Sequence, residues 1–246
     1  MSEWELLASV VAAMSVATFI RSFLGFGDAL VAMPILSLLI GVREAAPFVA
    51  IISFITALCI VGAERNSIDW KPASWLIGSS VIAVPAGIYL LRTIPEQYVQ
   101  AFLAFVIIGF CCLSFLKSKL ARLENDRLIT IFGAAAGVLV GAYNTPGPVL
   151  VIYGTMRNWS RERFRANLQA YFLPISLIVG TVHVTTGGAN EGLWLRIGTA
   201  LPFVLLAIWG GSTLSRRVGG EVFQRFVYGA LVIVALMLLF DSIGEN

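Results

Sequence analysis

Two apolar stretches of this chain are interrupted in the same way. Gly25-Phe26-Gly27-Asp28, followed by Pro34, returns as Gly141-Ala142-Tyr143-Asn144-Thr145-Pro146-Gly147-Pro148. Each break leads through a short apolar run into a charged turn, Val42-Arg43-Glu44 in the first case and Ser160-Arg161-Glu162 in the second, about 118 residues later. Glycine and proline end helices, and an ended helix inside hydrocarbon leaves backbone donors and acceptors that only protein or a lined cavity can satisfy. A matched pair of such breaks therefore constrains the fold more than any other feature of the chain. It marks an internal repeat whose two copies build something together.

The surroundings of the breaks place them in a bilayer. With 58% hydrophobic and 13% charged residues and a mean hydropathy of +0.87 over 246 residues, the chain has too little polar surface to cover a water-soluble globule. Glu3 and Glu5 precede the first apolar run where a secretory signal would carry positive charge, so residues 6–20 read as retained structure. The net charge of +3 comes from residues in short loops between apolar segments, which topology explains without nucleic acid. Cys59, Cys111 and Cys112 sit in apolar runs without metal-ligand spacing, and the only histidine, His183, has no catalytic companion. No metal, no cofactor and no enzymatic constellation is expected, and the Gly25-Phe26-Gly27 pair lacks the third glycine of a dinucleotide fingerprint.

Pro, Gly and charge bracket ten apolar segments: 6–22, 29–41, 45–63, 73–91 and 97–116, then 128–142, 147–156, 166–186, 193–214 and 222–240. A hydrocarbon core of about 30 Å takes roughly 20 helical residues at 1.5 Å each, so 29–41 and 147–156 are too short to cross and read as arms of broken-helix hairpins. Whether a hairpin counts as two crossings or none, each half has an odd number of spans, which inserts the second half upside down. The expected fold class is an all-α polytopic membrane protein of two inverted-topology repeats, residues 1–120 and 121–246, each a broken-helix hairpin plus three full spans. With the N-terminus outside, cytoplasmic loops hold Arg65, Lys71, Lys117, Lys119, Arg122, Arg127, Arg157, Arg161, Arg163, Arg165, Arg216 and Arg217, while outer loops hold only Arg43, Arg92 and Arg196. That bias predicts a multi-pass protein of the cytoplasmic membrane with both termini outside.

In this topology the two tips, 21–28 and 141–148, meet near mid-depth. The half-helices starting near Asp28 and Gly147 aim backbone amides and positive dipole ends into the space between them, a setting that favours a small anion. The candidate binding residues are Arg21, Gly25, Gly27 and Asp28 at the first tip, Asn144, Thr145 and Gly147 at the second, and Gln169 on the following span. Asp28 has two readings, a proton carrier or a helix cap, and Gln169 either lines a path or bonds a neighbouring helix. The stripe Gly133-Ala134-Ala135-Ala136-Gly137 reads as helix packing. Arg157, Arg161, Arg163 and Arg165 either gather anions at the cytoplasmic mouth or contact lipid headgroups.

The run Gly25-Phe26-Gly27-Asp28-Ala29-Leu30-Val31-Ala32-Met33-Pro34 resembles the TauE/SafE family of membrane permeases, the sulfite exporter group. So do Gly147-Pro148-Val149-Leu150-Val151-Ile152-Tyr153 and Arg161-Glu162-Arg163-Phe164-Arg165-Ala166-Asn167-Leu168-Gln169, and the resemblance extends over nearly the whole chain. Asp28 stands where many members carry a further glycine, and Pro148-Val149 where they carry Pro-Pro. The resemblance implies a permease of a small anion, sulfite or an organosulfonate; the paired hairpins add the expectation of a secondary transporter working by alternating access at their tips, with a proton or sodium as coupling ion, as a monomer or an oligomer. The alternative is a non-transporting membrane partner or scaffold, in which substitution of Asn144, Thr145 or Gln169 would leave activity intact.

Overall fold

The computed structural model describes residues 2–93, 128–143, 146–185 and 191–219, with a few scattered positions besides. Its elements are α1 (Glu3–Leu24), α2 (Asp28–Ile40), α3 (Val42–Glu64), a 3-10 turn at Arg65–Ser67, α4 (Trp70–Thr93), α5 (Leu128–Tyr143), α6 (Gly147–Met156), α7 (Arg161–His183) and α8 (Glu191–Arg217). Among the described residues there is no strand. The segments expected at 97–116 and at most of 222–240, the linker at 117–127, Cys111 and Cys112 lie outside the described residues.

Among the described residues, three helices are long and apolar enough to cross a membrane: Glu3–Leu24, Glu44–Ser67 and Gly192–Arg217. The two short segments are helices of 13 and 10 residues, α2 and α6, so at 1.5 Å per residue they reach only about 20 and 15 Å. Large apolar side chains stand fully outside the packing, among them Leu38 at 89% exposure, Ile82 at 81% and Trp209 at 71%. In water such a surface would drive aggregation; against acyl chains it costs nothing.

The chain packs as two compact units, Met1–Ala73 with Arg165–Gly219 and Ser74–Phe164 with Gly220–Asn246. Each unit draws on both sequence halves, so packing interleaves what the repeat separates. In the first unit, Val10, Met14 and Ala17 of α1, Ala45, Phe48 and Ile52 of α3, and Leu193, Ile197, Ala200, Val204 and Ile208 of α8 recur at helical spacing and close on one core with Ala32 and Leu36 of α2. Ion pairs join these helices end to end. Arg196 meets Glu44 at 2.5 Å near the starts of α8 and α3, while Glu64, the last residue of α3, meets Arg165 at 2.9 Å and Arg216 of α8 at 3.9 Å. Thus α3 and α8 run the same way and α7 starts where they finish.

Glycine sets the closest approaches. A Cβ on Gly211 would stand 2.6 Å from the Phe19 carbonyl oxygen and 2.8 Å from the Ser22 Cβ, so α1 and α8 touch backbone to backbone. In the second unit, Gly87 of α4 faces the Val138 backbone of α5, and Gly133 and Gly137 of α5 face Leu76 and Ser80 of α4 too closely for any side chain. The small-residue stripe is therefore a packing surface, as its spacing suggested. In both units the first arm of one half's hairpin lies on the fourth helix of the other half. Tyr153 of α6 anchors the rest of the second unit, with its ring 5.3 Å from those of Phe132 and Trp159.

Gly211→Ala is expected to cost about 1–3 kcal/mol through overpacking, read as a lower melting temperature in detergent. Gly198→Ala, on the same helix with nothing within 4 Å, should leave melting unchanged or raise it. Equal melting of both variants would show that α1 and α8 do not approach this closely.

Candidate functional site

The first break is made by two glycines. α1 begins with a reciprocal cap, the Glu5 amide donating to the Ser2 hydroxyl at 3.3 Å and the Ser2 amide to the Glu5 carboxylate at 2.8 Å. It ends at Gly25, whose φ of 95° is left-handed and whose N–H donates to the Arg21 carbonyl at 2.6 Å. Gly27 follows at φ 100°, and α2 starts at Asp28. The chain thus reverses within three residues, at angles an L side chain adopts only under strain. The reversal puts Arg21 in the last turn of α1 and Asp28 in the first turn of α2, each charge at the helix end whose dipole favours it.

These two side chains pair across the break. Arg21 Nη1 donates to Asp28 Oδ2 at 2.5 Å, and the Ser53 hydroxyl of α3 donates to the same oxygen. Arg21 Nε and Nη2 both donate to Gln169 Oε1 of α7, at 3.1 and 2.9 Å, and Gln169 Nε2 donates to the Gly25 carbonyl at 2.9 Å. Arg21 Cζ lies 4.8 Å from the Phe172 ring centroid, the arrangement of a cation over an aromatic face. Ser53 is the midpoint of α3 and Phe172 that of α7, so the cluster stands at mid-length of those two helices, between the end of α1 and the start of α2. Its polar members are buried, with Arg21 at 1% exposure and Gln169 at 0%, and Phe172 is half-buried beside them. Removing one partner from a buried ion pair costs about 3–5 kcal/mol, so Arg21 and Asp28 hold each other in place.

A second ion pair supports the first. Arg165, one turn before Gln169 on α7, lies against the break; a Cβ on Gly25 would meet Arg165 Cγ at 3.3 Å and its Cα at 3.4 Å. Its guanidinium donates to Glu64 at 2.9 Å and to the Ser212 hydroxyl at 3.1 Å. Arg165 was expected as a cation of the loop mouth; it is instead buried at 2% exposure, because the α7 helix begins at Arg161 and carries it inward. Asn167, on another face of α7, accepts the Asp69 amide at 2.8 Å and fixes the turn before α4.

Of the residues singled out from sequence, Arg21, Gly25, Asp28 and Gln169 come together, and Gly27 shapes the turn between them. Gly147 is the buried first residue of α6, just after Pro146, and belongs to the second unit. Asn144 and Thr145 lie outside the described residues. Sequence reasoning missed Ser53, Phe172, Ser212 and Glu64. Ser53 and Ser212 left a trace, as hydroxyls within the apolar runs 45–63 and 193–214.

A buried guanidinium at a helix break, neutralised by one carboxylate and bonded along its side by a neutral amide, is chemistry suited to an oxyanion. Comparison with known proteins bears on the chain as a whole. No curated protein and no solved structure matches it. A family model described as Sulfite exporter TauE/SafE matches residues 10–238. The match takes in both breaks, all of α2 to α8 and the residues of the Arg21 cluster, and the chain belongs to the Sulfite exporter TauE/SafE family.

Proposed function

We propose that this protein, a membrane transporter by its family, moves a small oxyanion such as sulfite or an organosulfonate through the cytoplasmic membrane by alternating access about its two broken-helix hairpins. One observation carries the reading: Arg21, at 1% exposure, stands at the first break with its Nε/Nη2 edge turned to a neutral amide. That edge takes two oxygens of a carboxylate, phosphate or sulfonate side by side. A charge held this deep among apolar helices is costly even when paired, and such residues mark ligand sites and relays. Asn144, Thr145 and Gly147 would supply the second half of the site from the other break, the two halves being inverted copies of one another. Flux would be driven by a proton or sodium gradient.

The loop charges predict both termini outside. Three ion pairs of the first unit support that grouping of helix ends: Glu64 gathers Arg165 and Arg216, both arginines assigned inside, and Glu44, next to the outer Arg43, takes Arg196, also assigned outside.

In liposomes under an imposed gradient, the purified protein should carry sulfite or methanesulfonate; folded protein that moves neither would defeat the reading. Gln169→Glu places a second carboxylate beside the single Arg21 charge, so flux should fall about tenfold or more and melting temperature should fall with it, because one buried negative charge is left uncompensated. A variant that transports like wild type would remove Arg21 from the path. For orientation, Ser2→Cys in a background without native cysteines should react with an impermeant maleimide from outside the cell, and Asn158→Cys should not. The reverse pattern would invert the topology.

A further inference from the structure

In this structure each of the three guanidinium nitrogens of Arg21 already donates within the cluster. Its Nη1 is taken by Asp28 and its Nε/Nη2 edge by Gln169 Oε1, and the charges of the pair cancel. An anion joining that arrangement unchanged would leave one uncompensated negative charge in a desolvated place, which is prohibitive there. The groups able to offset it are few. Around Asp28 stand Arg21 from α1 and the Ser53 hydroxyl from α3; beyond Gly25 stands Arg165 from α7, already committed to Glu64 of α3, with Arg216 of α8 3.9 Å from the same carboxylate oxygen. Asp28 is the one member of the cluster that can change its charge by taking up a proton.

We infer that Gln169 and Asp28 are stand-ins for the substrate on Arg21, and that one anion enters the site together with one proton, the anion replacing Gln169 Oε1 on the guanidinium edge while the proton binds the Asp28 carboxylate. The inference rests on the transport reading and deepens it. The balance is simple: an O–H bond forms on Asp28, its charge is lost, the anion's charge replaces it, and the site stays neutral. Gln169 is the partner to leave, since a neutral amide oxygen holds a guanidinium less strongly than an anionic one. Its departure has a second effect. Gln169 Nε2 also ties down the Gly25 carbonyl, so displacing the amide releases the left-handed turn that joins α1 to α2. Substrate binding would thereby loosen the break at which the hairpin must move.

The test uses wild-type protein in weakly buffered detergent solution and methanesulfonate, whose own charge is fixed across the working pH range. Binding should take up about one proton per anion. Because the bound state holds the extra proton, affinity should weaken about tenfold for each unit that pH rises while free Asp28 is ionised. Asp28→Asn should bind with an affinity independent of pH. Methanesulfonate binding without proton uptake would overturn the inference and leave the transport reading standing. Absence of both binding and flux, in protein with an intact melting transition, would overturn both. The proton measurement is made on wild type, so it stands even if Asp28→Asn fails to fold.

Discussion

A guanidinium removed from water has to be satisfied on every side the protein can reach, and in this molecule that requirement falls on Arg21. Its partners come from three helices: Asp28 of α2 across the break, Gln169 and Phe172 of α7, and through Asp28 the Ser53 hydroxyl of α3. To bring them together the chain must stop α1 sharply, turn within three residues and start α2 with an acid, which is why left-handed glycines flank the turn at 25 and 27. It must also pass α3 and α7 alongside the break at their midpoints. The helix dipoles assist, since Arg21 sits at a C-terminal end and Asp28 at an N-terminal one.

The rest of the first unit holds that arrangement in place. Arg165 fills the space beside Gly25 and is itself held by Glu64 and Ser212, so one buried ion pair braces the backbone on which the other depends. Apolar stripes on α1, α3 and α8 exclude water from the centre, and Gly211 lets α1 and α8 close without a gap. Low dielectric strengthens the pairing inside and raises the cost of any unpaired charge, so the cluster stays intact unless a ligand of matching charge takes over.

Much of this was legible in the sequence, though unevenly. Helix lengths and the short arms followed from apolar runs and glycines, because a bilayer leaves few alternatives to helix. Arg21, Asp28 and Gln169 stood out as polar residues inside apolar runs. Their mutual bonding did not, since Gln169 lies 148 residues from Arg21 and no local rule links them. Arg165 was read as part of a loop's charge because the run Arg161 to Arg165 looks the same whether it precedes a helix or opens one. Phe172 gave no signal at all: one aromatic among many apolar neighbours acquires meaning only from the cation placed over it.

The interleaving of the halves has a consequence for how the molecule is made. The helices α1 to α3 leave the ribosome long before α7 and α8, so the first unit waits in the bilayer without Gln169, Arg165 or its α8 wall. During that interval Arg21 would be an isolated charge in hydrocarbon, were its carboxylate not seven residues away on the adjoining arm. Asp28 thus serves the growing chain first: it neutralises the nascent hairpin at insertion, and the amide that completes the cluster arrives only once the second half is in place.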